Sequence, residues 1–156
     1  MNGELITWYV LFISFALITA FIILRNVFST KYQDSVVRPG WVPSIYLIGF
    51  SGLLVYLASY AGLYITYKKA DNKKLSFIFS ISLLITILST LWAVIFYYFQ
   101  NYIWADVIIL LITLATIYYA YLLYKIDNVA GILQIPLILW LVWFLVIGIG
   151  YIQVNK

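Results

Sequence analysis

From Leu5 to Leu24 the chain runs twenty residues without a charge, and four more long apolar stretches come after it, with Asp106 the one charge inside them. About 20 apolar residues, rising roughly 1.5 Å each as helix, match the hydrocarbon thickness of a bilayer. Composition agrees. The sequence is 66% hydrophobic and carries nine Lys or Arg and five Asp or Glu in 156 residues, whereas soluble domains are roughly 45–50% apolar and 25% charged. The expected fold is an all-α membrane protein, a five-transmembrane-helix bundle that forms one domain over residues 1–156.

Absences narrow the chemistry. With no cysteine and no histidine, the chain lacks disulfides, thiolate sites, the commonest metal and haem ligand, and the commonest general base near neutral pH. In their place stand fifteen Tyr, ten Phe and six Trp, 20% of the residues. The net charge of +4 reads as loop topology, and nucleic acid is not an expected partner.

The first apolar stretch opens after Glu4 and closes at Arg25. It lacks the basic start and the short core of about 7–15 residues of a cleaved signal peptide, so it reads as a retained helix with Ala16 and Ala20 as a small-residue packing edge. Residues 25–43 form the longest polar stretch, and a loop of this length reads as a lid or binding element. Further helices are expected over about 44–67, opened by Pro43, and over 75–99, 102–124 and 130–154, the last with Pro136 inside its second turn. Between the second and third lies the basic turn Lys68-Lys69-Ala70-Asp71-Asn72-Lys73-Lys74. Lys and Arg number five on the side of that turn and four on the other, which leaves the orientation open.

Asp106 has two readings. It is an acid near a helix start, where the dipole favours it, or it is a pathway or ligand contact inside the membrane. Trp8, Tyr9, Tyr102, Trp104, Tyr119, Tyr124 and Tyr151 fall near helix ends and read as anchors at headgroup depth. Tyr56, Tyr60, Tyr64 and Tyr67 recur at helical spacing, and Trp92, Phe96 and Trp140 lie deeper. These are expected to face inward, either as packing or as the lining of a cavity for a flat apolar ligand. Gly49, Gly52, Gly148 and Gly150 permit either close helix contact or a larger pocket. A short cholesterol pattern matches at three places, around Tyr67, Tyr119 and Tyr151, and so discriminates little.

Taken in order, the Arg38-Pro39-Gly40-Trp41-Val42-Pro43-Ser44 loop, Trp92 with Phe96 and Tyr97, and Ala130-Gly131 followed by Ile135-Pro136 and Trp140 resemble the TspO/MBR family, the tryptophan-rich sensory or translocator protein group. The resemblance covers about residues 32–155. It implies that Tyr32, Arg38, Pro39, Trp41 and Pro43 belong to a lid, that Tyr56, Trp92, Phe96, Pro136 and Trp140 lie at a cavity, and that Asp106 holds an acidic position common in the fourth helix. Gly52 stands where bacterial members carry a tryptophan. Ile85, Ser89, Val94 and Gly148 replace Gln, Asn, Pro and Asn.

The resemblance further implies a homodimer that binds porphyrins, sterols and similar flat molecules, with no required cofactor and a role in transport or sensing. The aromatic surface agrees, since rings stack on planar ligands and Arg38 and Lys31 suit propionates. Without His or Cys, metal-free porphyrin is the better candidate. Two other roles remain open: a porphyrin-degrading enzyme, against which Gly52 counts, and an accessory subunit of a larger membrane assembly whose cavity is filled by side chains.

Overall fold

The computed structural model describes residues 36–155 together with positions 14, 17, 18, 21, 23 and 25, which are helical. The first apolar stretch, Ala16 and Ala20, Trp8 and Tyr9, Lys31 and Tyr32 therefore lie wholly or mostly outside the described residues. Beyond the loop come α1 (Ile45–Lys69), α2 (Asn72–Ala93) running into a π-helical turn (Val94–Tyr98), α3 (Tyr102–Tyr124), α4 (Asn128–Ile132) and α5 (Ile135–Val154). Among the described residues, four helical stretches are long and apolar enough to cross a membrane: 47–69, 72–98, 102–124 and 128–154. The described residues contain no strand.

Each helix that starts at an end of the bundle is opened by a short polar side chain, which takes one of the backbone N–H groups that a first turn leaves over. Ser44 accepts from Leu47 N, Asp71 from Lys74 N, Asn101 from Trp104 N and Asp127 from Ala130 N. These caps set the boundaries. Asp71 starts α2 at Asn72, three residues earlier than the hydropathy of the stretch from 75 indicates, because Asn72, Lys73 and Lys74 are polar yet helical.

The fifth stretch departs from one continuous helix over 130–154. It begins at Asn128 and breaks at Leu133 and Gln134 before α5 resumes. Pro136 causes the break, because it has no N–H to give to the carbonyl four residues back and its ring crowds that position. Gln134 N turns to Gly131 O at 3.0 Å, which leaves the Ala130 carbonyl without its helical donor. The Gln134 side chain replaces it, with Nε2 giving to Ala130 O and to Ser59 O of α1, both at 3.2 Å, while Oε1 accepts from Ser59 Oγ. In lipid such backbone groups must be satisfied from within the protein. Gln134 is fully buried.

Other hydroxyls satisfy themselves. Thr66, Thr86, Thr113 and Thr116 each donate to the carbonyl one turn back, a bond that removes them as free polar groups. α3 is the central helix, packed along α5 and α2, while α1 rests on α4 and α5. Because lipid tails are as apolar as the helices, shape fit rather than water exclusion holds such contacts. Gly62 and Gly131 allow them: a Cβ on Gly62 would lie 2.6 Å from Ala130 O, and one on Gly131 would lie 2.7 Å from Tyr124 Cα.

At the same end, Lys69 of α1 pairs with Asp127 ahead of α4. The Lys69 ammonium, then the Ala130 N–H, hold the Asp127 carboxyl below the usual carboxylate range. A lowered carboxyl pKa adds stability that is full above the unfolded value of about 4 and disappears as pH falls through the folded value. Asp127→Asn is therefore expected to melt below the parent at pH 7 and to converge on it under acid, as followed by circular dichroism in detergent. A gap that stays constant with pH would assign the loss to capping instead.

Candidate functional site

Trp140 leads the deep aromatic residues. It projects from the second turn of α5, which the Pro136 break aims toward α1. Its ring lies 4.2 Å from Phe144, centroid to centroid, and meets Tyr56 edge-on at 6.2 Å. Its Nε1 donates to Ser51 Oγ at 3.2 Å. Gly52 makes room for it, since a Cβ there would lie 2.9 Å from Trp140 Cζ2. Tyr56 in turn pairs with Ser89 of α2.

From Phe144 the ring contacts continue to Trp92 at 5.3 Å and from Trp92 to Phe96 at 5.3 Å. Phe96 then meets Tyr102 at 5.1 Å and Tyr151 at 5.2 Å, both edge-on. Phe96 sits within the π-helical turn, where Phe99 N reaches Val94 O at 3.2 Å and Gln100, at φ 52°, ends the helix. Tyr56, Trp92, Phe96 and Trp140 thus belong to one chain of touching rings that runs from α1 through α5 and α2 to α3.

Tyr102 and Tyr151 correct the reading of aromatic residues near helix ends. Both are buried, as is Tyr119, whereas Trp104 and Tyr124 are exposed and suit headgroup depth. Position along a span does not reveal which way a ring faces; helical phase does. Phe144 and Tyr151 are seven residues apart and share the face of α5 that carries Trp140. In the tyrosine stripe, Tyr56 and Tyr60 touch at 6.3 Å, but Tyr64 is exposed and lies under the Lys68 ammonium. At about 100° per residue, Tyr64 sits roughly 80° around the helix from Tyr56.

The described part of the loop lies over the Tyr151 end of this chain. Val42 N closes a turn on Pro39 O at 3.0 Å, and Val42 is buried. Pro39 is buried and Trp41 half-exposed. Both rest on α5 at Gly150, where a Cβ would lie 2.6 Å from Trp41 and 3.3 Å from Pro39. Asn155 fastens the loop from the far end of the chain: its Oδ1 accepts from Val37 N and its Nδ2 donates to Val37 O, each at 2.8 Å. Arg38 is exposed and lies within electrostatic reach of the Tyr151 hydroxyl. Pro43 is partly buried beside the cap of α1.

Asp106, half-buried in the second turn of α3, packs directly against Gly148, where any Cβ would collide with its carboxylate. Glycine at 148 is thus what admits the acid between α3 and α5. No ion pair reaches Asp106 among the described residues. Pro136 is exposed and acts on the site through the helix break rather than by facing the rings. The clasp of Asn155 on Val37 and the bonds of Gln134 are not evident from the sequence pattern. A lone amide in an apolar stretch, as at Gln134, was the available signal.

A search of the curated proteins gives no match. The model of the TspO/MBR family matches residues 6–153, nearly the whole length. With its membrane-spanning helices and this match, the chain is an integral, multi-pass membrane protein that belongs to the TspO/MBR family.

Proposed function

We propose that this chain is a five-span bundle, with residues 5–24 as the first crossing, that binds a porphyrin, a sterol or a similar flat apolar molecule under its first loop. Binding serves transport or sensing and requires no cofactor, and the working form is a homodimer. Tyr56, Trp92, Phe96 and Trp140 form the wall, Tyr32, Arg38, Pro39, Trp41 and Pro43 the lid, Asp106 its polar flank, and Pro136 aims Trp140.

The observation that carries this reading is the seating of Pro39 and Trp41 on Gly150, next to the Tyr151 end of the ring chain. Trp140 and Phe144 lie too close, at 4.2 Å, to admit a planar guest between them. An incoming ligand parts Tyr56 from Trp140, which now meet only edge-on. Protoporphyrin is expected to quench the tryptophan fluorescence of the reconstituted protein, and Trp140→Leu to weaken binding by about tenfold, the upper worth of one aromatic contact. No quenching beyond that of free tryptophan amide titrated in the same bilayers would sink the proposal.

The mutual contact of the wall rings favours a second reading, an accessory subunit whose interior is filled by its own side chains. That reading expects stable co-purification with a partner and no porphyrin effect.

A further inference from the structure

The end of the bundle opposite the lid gathers the turn between α1 and α2 and the turn between α3 and α4. Five lysines meet there, Lys68, Lys69, Lys73, Lys74 and Lys125, all exposed. Two are matched: Lys69 pairs with Asp127, and Lys74 with Asp71 at 3.0 Å. Lys68, Lys73 and Lys125 remain, and five lysines against two aspartates leave a net charge of +3 on this end among the described residues.

Two of the three are held at a defined depth. Lys68 lies over the Tyr64 ring and Lys125 over the Tyr121 ring, each with Nζ 4.5 Å from the centroid. Both pairs are four residues apart, at the C-terminal ends of α1 and α3, where Lys125 is the residue after α3, on rings exposed by half. A tyrosine facing lipid at a helix end sits at the headgroup boundary, so its lysine is presented at that level.

Helix energetics do not account for the whole cluster. Lysines closing α1 and α3 offset the negative helix ends, and Asp71, the cap of α2, matches Lys74, but Lys73 stands in the first turn of α2 without an ion pair among the described residues, where the dipole disfavours a cation. We propose that this end is a docking surface for anionic phospholipid headgroups, with Lys68, Lys73 and Lys125 making the contacts.

The test reconstitutes the full chain in phosphatidylcholine bilayers and adds spin-labelled phosphatidylglycerol or phosphatidylcholine. The anionic probe is expected to be immobilised at least about fivefold more, the factor one lysine near the surface gives. That preference falls toward parity in 1 M salt, where screening acts within roughly 3 Å. The triple variant Lys68→Gln, Lys73→Gln, Lys125→Gln keeps both ion pairs and is expected to lose the preference while melting like the parent; Arg25→Gln is expected to keep it. Equal immobilisation of the two probes by the parent overturns the proposal. So does a preference that survives in the triple variant or disappears with Arg25→Gln.

Discussion

Gln134→Leu is expected to lower the melting temperature in detergent by about 6–12 °C, at roughly 2–4 °C for each kcal/mol in a chain of this size. The side chain is fully buried and links three partners, Ser59 Oγ, Ser59 O and Ala130 O. Leucine keeps the volume and removes every one of those bonds. The Ser59 hydroxyl then turns to a carbonyl of its own helix, which limits the damage on α1. The Ala130 carbonyl has no such recourse. Its ordinary donor is committed to Gly131 O, and Pro136 prevents the regular ladder from re-forming through this turn. An orphaned buried polar group costs about 1–3 kcal/mol, and the broken link between α1 and α5 adds to it, for a loss of about 3 kcal/mol. A variant that melts within 2 °C of the parent would show that the amide is dispensable.

Gly131→Ala is expected to cost about as much, by overpacking. A Cβ there would lie 2.5 Å from Tyr124 Cβ and 2.9 Å from Tyr124 N, and a backbone cannot swing away as a side-chain tip does. Residues 125–127 join α3 to α4 too tightly for one helix to slide along the other. Overpacking of this kind costs roughly 1–3 kcal/mol. Gly49→Ala provides the contrast. Nothing lies within 4 Å of its added methyl, and alanine is the better helix former by about 1 kcal/mol, so that variant is expected to melt at or above the parent. Thermal unfolding of both side by side decides the matter: if Gly131→Ala does not melt below Gly49→Ala, the close approach of α3 and α4 is not as tight as the structure has it.

Hydropathy made the spans legible and the joints obscure. α3 occupies Tyr102–Tyr124, the bounds that its apolar run indicates, because Asn101 caps it and the apolar run and the helix stop together. α1 extends two residues further, to Lys69, since a lysine stem remains helical while its charge reaches water. The break at Leu133 and Gln134 was hidden, because an average over apolar residues is blind to one missing N–H. Proline marks the spot in the sequence, but only the Gln134 bonds show how the loss is made good.

The ring-bearing positions of α1, α2 and α5 were visible by residue type, and their mutual contact was not. Tyr102 and Tyr151 turn inward from helix ends where tyrosine ordinarily faces lipid, a matter of rotation about the axis rather than depth. The roles of Gly148 and Gly150 depend on neighbours distant in the chain, Asp106 and Trp41, which no local pattern connects. The Asn155 clasp on Val37 is of the same kind.

That clasp has a consequence for how the protein is made. Val37 and Asn155 are 118 positions apart, so the loop leaves the ribosome long before the amide that fastens it. At about 5–20 residues per second, roughly 6–24 s separate the two. Through that interval the nascent bundle inserts and packs its helices with the loop unfastened, and the described end of α5 closes it last. Assembly therefore has a built-in order in which the interior stays approachable from the loop side until α5 is in place.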